Sequence, residues 1–213
     1  MPDSSEYEPA FGATPVDDAA ADDLARVRQA FELASQPYLS TPVSWFAWAV
    51  LLPLAALTSA RAAAIAGPRG LVLLWSLTIL VGGLIEGRAM LAARRQGRRS
   101  PLGGWAMALQ GNLSAVGAAL SAALVALDAA RLLPGLWLLL LGHSFFALGG
   151  LALPAMRRAG LLYQLGGVAA LLPGLPTAAI FAASTALGNS WIGLAVAARR
   201  RRARQAASSG SSS

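Results

Sequence analysis

LWLLLLGHSFFALGGLALPA, the stretch from Leu136 to Ala155, decides the fold class, because it runs its whole length without Asp, Glu, Lys or Arg. A helix of about 20 residues rises ~30 Å, the thickness of a bilayer's hydrocarbon core. Outward from it, apolar runs recur at Ser44 to Ala60, Leu71 to Met90, Trp105 to Leu127, Gly160 to Leu172, and after Pro176 as far as Ala198. Charge is almost confined to the segments between and beyond these runs. Lipid offers no hydrogen bonds, so each run must satisfy its own backbone as a helix. The expectation is an all-α, polytopic transmembrane helical bundle of about six spans arranged as three hairpins.

Composition agrees. The chain is 56% hydrophobic and 13% charged, with a mean hydropathy of +0.56; soluble domains carry about 25% charged residues. A formal charge of +7 would point to nucleic acid in a soluble domain. In a membrane protein it reflects basic cytoplasmic loops, so no nucleic-acid partner is expected. All 17 basic residues are Arg, which with abundant Ala, Gly and Leu points to the codon bias of a GC-rich bacterial genome. The absence of Cys excludes disulfides, thiolate nucleophiles and Cys metal sites.

Four regions follow. Residues 1–16, with Pro2, Pro9 and Pro15, read as a disordered tail. No basic n-region leads into an apolar stretch, so no cleaved signal peptide is expected. Residues 17–43 read as a short cytoplasmic or interfacial amphipathic leader helix. Asp17 and Asp18 start it, Leu24, Val27 and Phe31 line one face, Asp22 pairs with Arg26, and Pro37 ends it. Residues 44–198 form the bundle, with a kink at Pro53 and turns at Pro68-Arg69-Gly70, at Asp128 and Arg131 followed by Pro134-Gly135, and at Pro173-Gly174-Leu175-Pro176. Residues 199–213 are an Arg-rich, then Ser-rich and disordered, cytoplasmic tail. The fifth run is too short to cross upright and must recruit flanking residues.

Six spans place both termini on one side. That side holds Arg26, Arg28, Arg88 through Arg99, Arg157, Arg158 and Arg199 to Arg204; the other holds Arg61, Arg69 and Arg131. The bias sets both termini in the cytoplasm of a bacterial inner membrane, with Trp45, Trp48 and Trp105 in the inner aromatic belt and Trp75 and Trp137 in the outer. Arg199, Arg200, Arg201, Arg202 and Arg204 can contact anionic headgroups. A weak internal repeat relates Leu132-Leu133-Pro134-Gly135-Leu136 to Leu171-Leu172-Pro173-Gly174-Leu175.

The stretch from Leu132 to Leu140, with Gly142 and Gly149-Gly150, resembles a family of uncharacterised bacterial membrane proteins. The segment from Asp23 to Arg28 resembles that family's N-terminal helix, and Gly193-Leu194 with Ala198-Arg199-Arg200 its closing motif. The resemblance implies a six-helix membrane fold and genes beside winged-helix transcriptional regulators, but no activity. Family members often carry a Tyr before the Gly of the fourth span and a His in the last; here those places hold Leu141 and Asn189.

Ionisable groups at membrane depth are functional candidates. Glu86 sits one to two turns from the cytoplasmic end of the second span, as an interfacial carboxylate paired with Arg98 or Arg157 or as a protonatable site. His143, the single His, lies mid-span, as a neutral packing residue or as a proton acceptor. Gln110, Ser114, Gly117 and Ser121 form a polar, small stripe suited to interhelical hydrogen bonds; Gln110, Asn112 and Asn189 lining a substrate path is the alternative. No phosphate loop, zinc-protease motif or nucleophile elbow is present. The expectation is therefore a non-enzymatic accessory or partner-binding bundle without metal or cofactor. Two alternatives are a small carrier or channel subunit using Glu86 and His143, and a membrane sensor presenting its leader helix to a cytoplasmic regulator.

Overall fold

The computed structural model describes residues 22–23, 26, 41–95, 101–149 and 153–210. Their regular structure is entirely helical: α1 (Pro42–Arg95), α2 (Pro101–Ala126), a 3-10 turn (Ala130–Leu132), α3 (Leu133–Gly149), α4 (Pro154–Leu171) and α5 (Thr177–Gly210). Four stretches, Pro42–Ala92, Ala108–Ala126, Ala130–Gly149 and Thr177–Arg202, are long and apolar enough to cross a membrane. Arg157, Arg158 and Gln164 keep α4 out of that set. Leu73, Leu77, Leu80 and Leu84 are all well exposed on the outside, far more apolar surface than water tolerates. The class is a membrane-type helical bundle.

Straight, the 54 residues of α1 would extend ~80 Å. The helix instead breaks at Ala66 (φ −132°, ψ 16°) and Gly67 (φ 59°, ψ −147°). Trp48 reaches Glu86, Ser59 reaches Trp75, and Gly70 lies against the Ala62 carbonyl. Paired numbers converge on the break, so the two halves lie antiparallel. Gly67 supplies the left-handed conformation, and Pro68 follows where its missing N–H sacrifices no helical bond. The turn therefore precedes the Pro68-Arg69-Gly70 segment expected to make it, and all three of those residues are helical. Pro53 lies inside the first half of the helix with helical dihedrals.

Other boundaries move as well. The run from Leu136 to Ala155 is not one helix: α3 stops at Gly149, and Pro154 opens α4 after an extended Leu153. Proline is favoured at that position because its φ is preset. The helix that holds the short fifth run, α4, begins at Pro154 and so includes Arg157 and Arg158. Helix α5 continues through the Arg run to Gly210, since Arg and Ala are strong helix formers; a tail beginning at 199 is not separate from it. Most of the leader region 17–43, and the tail 1–16, lie outside the described residues. Asp22, Asp23 and Arg26 are helical, and the exposed ion pair there is Asp23 with Arg26 at 3.9 Å, not Asp22 with Arg26.

The chain turns at the end of α2, where Asp128 takes φ 54°, while Pro134-Gly135, expected to belong to the turn, are already helical residues of α3. Ala129 N–H donates to the Leu124 carbonyl (2.8 Å) and Asp128 N–H to that of Val125 (3.1 Å). This is the Schellman pattern, with Asp128 in the place usually held by Gly. The cap satisfies carbonyls that the next helix cannot reach.

The helices pack in sequence around the bundle: α1 lies along α5, α5 on α4, and α4 on α3, while α2 leans on α3. The core is Leu138, Phe145, Met156, Tyr163, Phe181 and Ile192. Between α3 and α4 runs a seam of glycines seven residues apart: Gly135 faces Gly167, Gly142 faces Gly160, and Gly149 lies against the Arg157 backbone. A Cβ on Gly142 would lie 2.8 Å from the Gly160 carbonyl oxygen, and one on Gly160 would lie 2.7 Å from that of Gly142. The two backbones touch. A seven-residue period keeps one stripe facing its partner along a left-handed crossing. Small residues allow such an approach where burying apolar surface provides no drive.

Candidate functional site

The polar contacts that join different parts of the bundle fall into three groups. Within α1, Trp75 Nε1–H donates to Ser59 Oγ (3.1 Å), and Ser59 Oγ–H donates to the Ala55 carbonyl (2.7 Å). Between α2 and α3 the same unit recurs: Trp137 Nε1–H donates to Ser121 Oγ (3.1 Å), and Ser121 to the Gly117 carbonyl (2.7 Å). In each, the serine spends its proton on its own helix and offers a lone pair to the indole. No donor is left bare in lipid. Trp75 and Trp137 thus turn their polar edges inward rather than to headgroups. At the other end of α1, Trp48 Nε1–H donates to Glu86 (3.4 Å), and its ring lies over Gly82.

The second group is buried. Tyr163 is fully enclosed on α4, and its hydroxyl donates to the Thr185 carbonyl of α5 (3.4 Å). Its ring lies against Gly188, and from it an aromatic chain runs to Phe145 (5.4 Å between centroids) and on to Trp45 (5.7 Å). Thr185 Oγ1 donates back to the Phe181 carbonyl (2.8 Å). One turn on, Asn189 is 2% exposed, and its Nδ2 has no hydrogen-bond partner among the described residues.

The third group joins α2 and α3. Ser144 Oγ–H donates to Gln110 Oε1 (2.9 Å). The neighbouring His143 is exposed: at 100° per residue it leaves the seam that Gly142 occupies and faces out from the bundle. Asn112 and Ser114 are exposed too. On α2 the residues Ala108, Gly111, Asn112, Ala115, Ala119 and Ala122, all exposed, lie on the side away from Gly117, which packs under Trp137.

Glu86, His143, Gln110, Asn112 and Asn189 therefore do not meet at one place. Glu86 turns to Trp48, Gln110 to Ser144, Asn189 into the core, and His143 and Asn112 outward. Among the described residues no group of three His, Cys, Asp or Glu is placed to hold a metal ion. Sequence reasoning missed the Ser–Trp units. Their signal was present in the matching 16-residue spacing of Ser59 to Trp75 and Ser121 to Trp137, each pair flanking a turn. It also missed Tyr163, which an apolar run with a single hydroxyl does not distinguish from core packing.

Comparison with protein-family models, with curated proteins and with solved structures finds no match for this chain.

Proposed function

We propose that the chain is a six-crossing bundle of a bacterial inner membrane, with both termini cytoplasmic, that works by binding another membrane protein helix rather than by catalysis. The observation that carries this reading is the outer face of α2. Its inner face packs on α3, while Asn112 sits on the opposite, exposed face among alanines and Gly111. A Cβ on Gly111 would meet nothing within 4 Å. An amide facing lipid lacks hydrogen bonds, and small neighbours let a second helix approach closely enough to supply them.

Topology rests on the ends of the helices. Arg61, Arg69 and Arg131 lie by the turns at Gly67 and Asp128, and the remaining described Arg of the bundle lie towards the opposite end. The carrier reading finds less support, because Glu86 and His143 do not converge.

The test exploits the absence of native Cys. Asn112→Cys, expressed in its own membrane, should give a crosslinked species with a bifunctional thiol reagent, and Asn112→Leu should fail to rescue a deletion phenotype that His143→Gln rescues fully. Full rescue by Asn112→Leu, with no crosslink from position 112, would overturn the reading.

A further inference from the structure

Arg88, Leu91, Ala92 and Arg95 line an open groove of about 360 Å³ at the Arg-rich end of α1. Their spacing of three, four and seven residues sets them on one helix face, with the two Arg backbones ~10 Å apart along the axis. Both guanidiniums are exposed, and neither has a carboxylate in ion-pair contact among the described residues. Long, forked side chains from positions two turns apart can close on one anion from both sides.

The same face continues into the membrane. Leu84, Leu80, Leu77 and Leu73 follow at spacings of four, three and four, each at least 58% exposed. From Leu84 to Leu73 the helix rises ~16 Å, the depth of one leaflet of a ~30 Å hydrocarbon core. We infer that this face of α1 is a binding site for one anionic phospholipid, its phosphodiester held between Arg88 and Arg95 and an acyl chain lying along Leu84, Leu80, Leu77 and Leu73.

Three features select this occupant. The groove is at the small end of ligand sites, which span ~300–1,000 Å³, enough for a phosphodiester and glycerol but not for the chains. The leucine track gives nothing to free phosphate, which ends at the groove. An acidic soluble protein would meet the two Arg but not leucines a leaflet deep.

The inference rests on the membrane reading above, with Arg88 to Arg95 at the cytoplasmic surface, and the experiment separates the two. The full chain is placed in nanodiscs of phosphatidylcholine containing one-quarter phosphatidylglycerol, and the lipids retained are counted by native mass spectrometry. Phosphatidylglycerol should be retained over phosphatidylcholine. Arg88→Gln with Arg95→Gln should weaken that retention ~30-fold, from ~5-fold per basic residue at a membrane surface. Arg88→Lys with Arg95→Lys, which keeps the charge and loses the fork, should retain more than the double Gln variant and less than wild type, and Arg131→Gln should keep all of it. Leu80→Ala with Leu84→Ala should reduce retention of long-chain lipid and leave a short-chain analogue unaffected. Millimolar inorganic phosphate should not displace the lipid. Wild-type retention by the double Gln variant, or displacement by inorganic phosphate alone, overturns the site while leaving the membrane reading standing. A chain that stays dispersed in buffer and never enters the nanodisc overturns both.

Discussion

Gly160→Ala adds a single methyl group to the tightest helix pair in the bundle. That carbon would lie 2.5 Å from Phe146 N, 2.7 Å from the Gly142 carbonyl oxygen and 2.9 Å from Phe146 Cα. All three are backbone atoms, so no rotamer change can make room. Ordinary contact begins near 3.4 Å, so α4 must retreat from α3 by ~0.9 Å at this level. A radial gap of 0.5–1 Å forfeits about a quarter to a half of each dispersion contact along the seam, and overpacking of this kind costs about 1–3 kcal/mol. Alanine also raises helix propensity by about 1 kcal/mol over glycine. That gain is removed by comparison with Gly83→Ala, where a Cβ meets nothing within 4 Å. Reversible unfolding in bicelles should place Gly160→Ala about 1–3 kcal/mol below Gly83→Ala. Equal stability of the two would refute backbone contact between α3 and α4.

Ser121→Ala strands the Trp137 indole N–H, and Ser59→Ala does the same to Trp75; each should destabilise by about 1–3 kcal/mol, while Ser121→Ala should cost much less in a Trp137→Phe background, as unfolding of the double-mutant cycle will read. Asn189→Leu removes a buried amide nitrogen without a partner and should be neutral or stabilising by up to about 2 kcal/mol; a loss above about 1 kcal/mol would mean the amide has a partner in the membrane. Asp128→Gly should leave stability near wild type, whereas Asp128→Val, forced to the same positive φ, should lose about 1–2 kcal/mol. His143→Gln, on the outer face of α3, should change unfolding free energy by less than about 0.5 kcal/mol.

The apolar runs carried most of what could be read in advance: helices throughout the described residues, with turns close to Gly67, Asp128 and Gly174. Boundaries were less legible. Pro154 was taken into a run that α3 leaves at Gly149, because hydropathy does not register a proline that opens one helix rather than interrupting another. Gln110 was read as an interhelical hydrogen-bonding residue, and Ser144 supplies the bond. Ser114, in the same stripe, faces outward instead.

The linear chain by itself determined the solvent, the helical class and the distribution of charge, since each depends on composition along runs of about 20 residues. Tertiary structure alone decided which way each helix is turned. In water, an amphipathic stripe would have announced the inner face. In a bilayer, Leu84 facing lipid and Leu138 facing the core look alike in sequence, so the rotation is set by glycine against glycine and indole against serine. Those contacts lie between helices: they turned His143 outward, enclosed Asn189, and separated Glu86 from both.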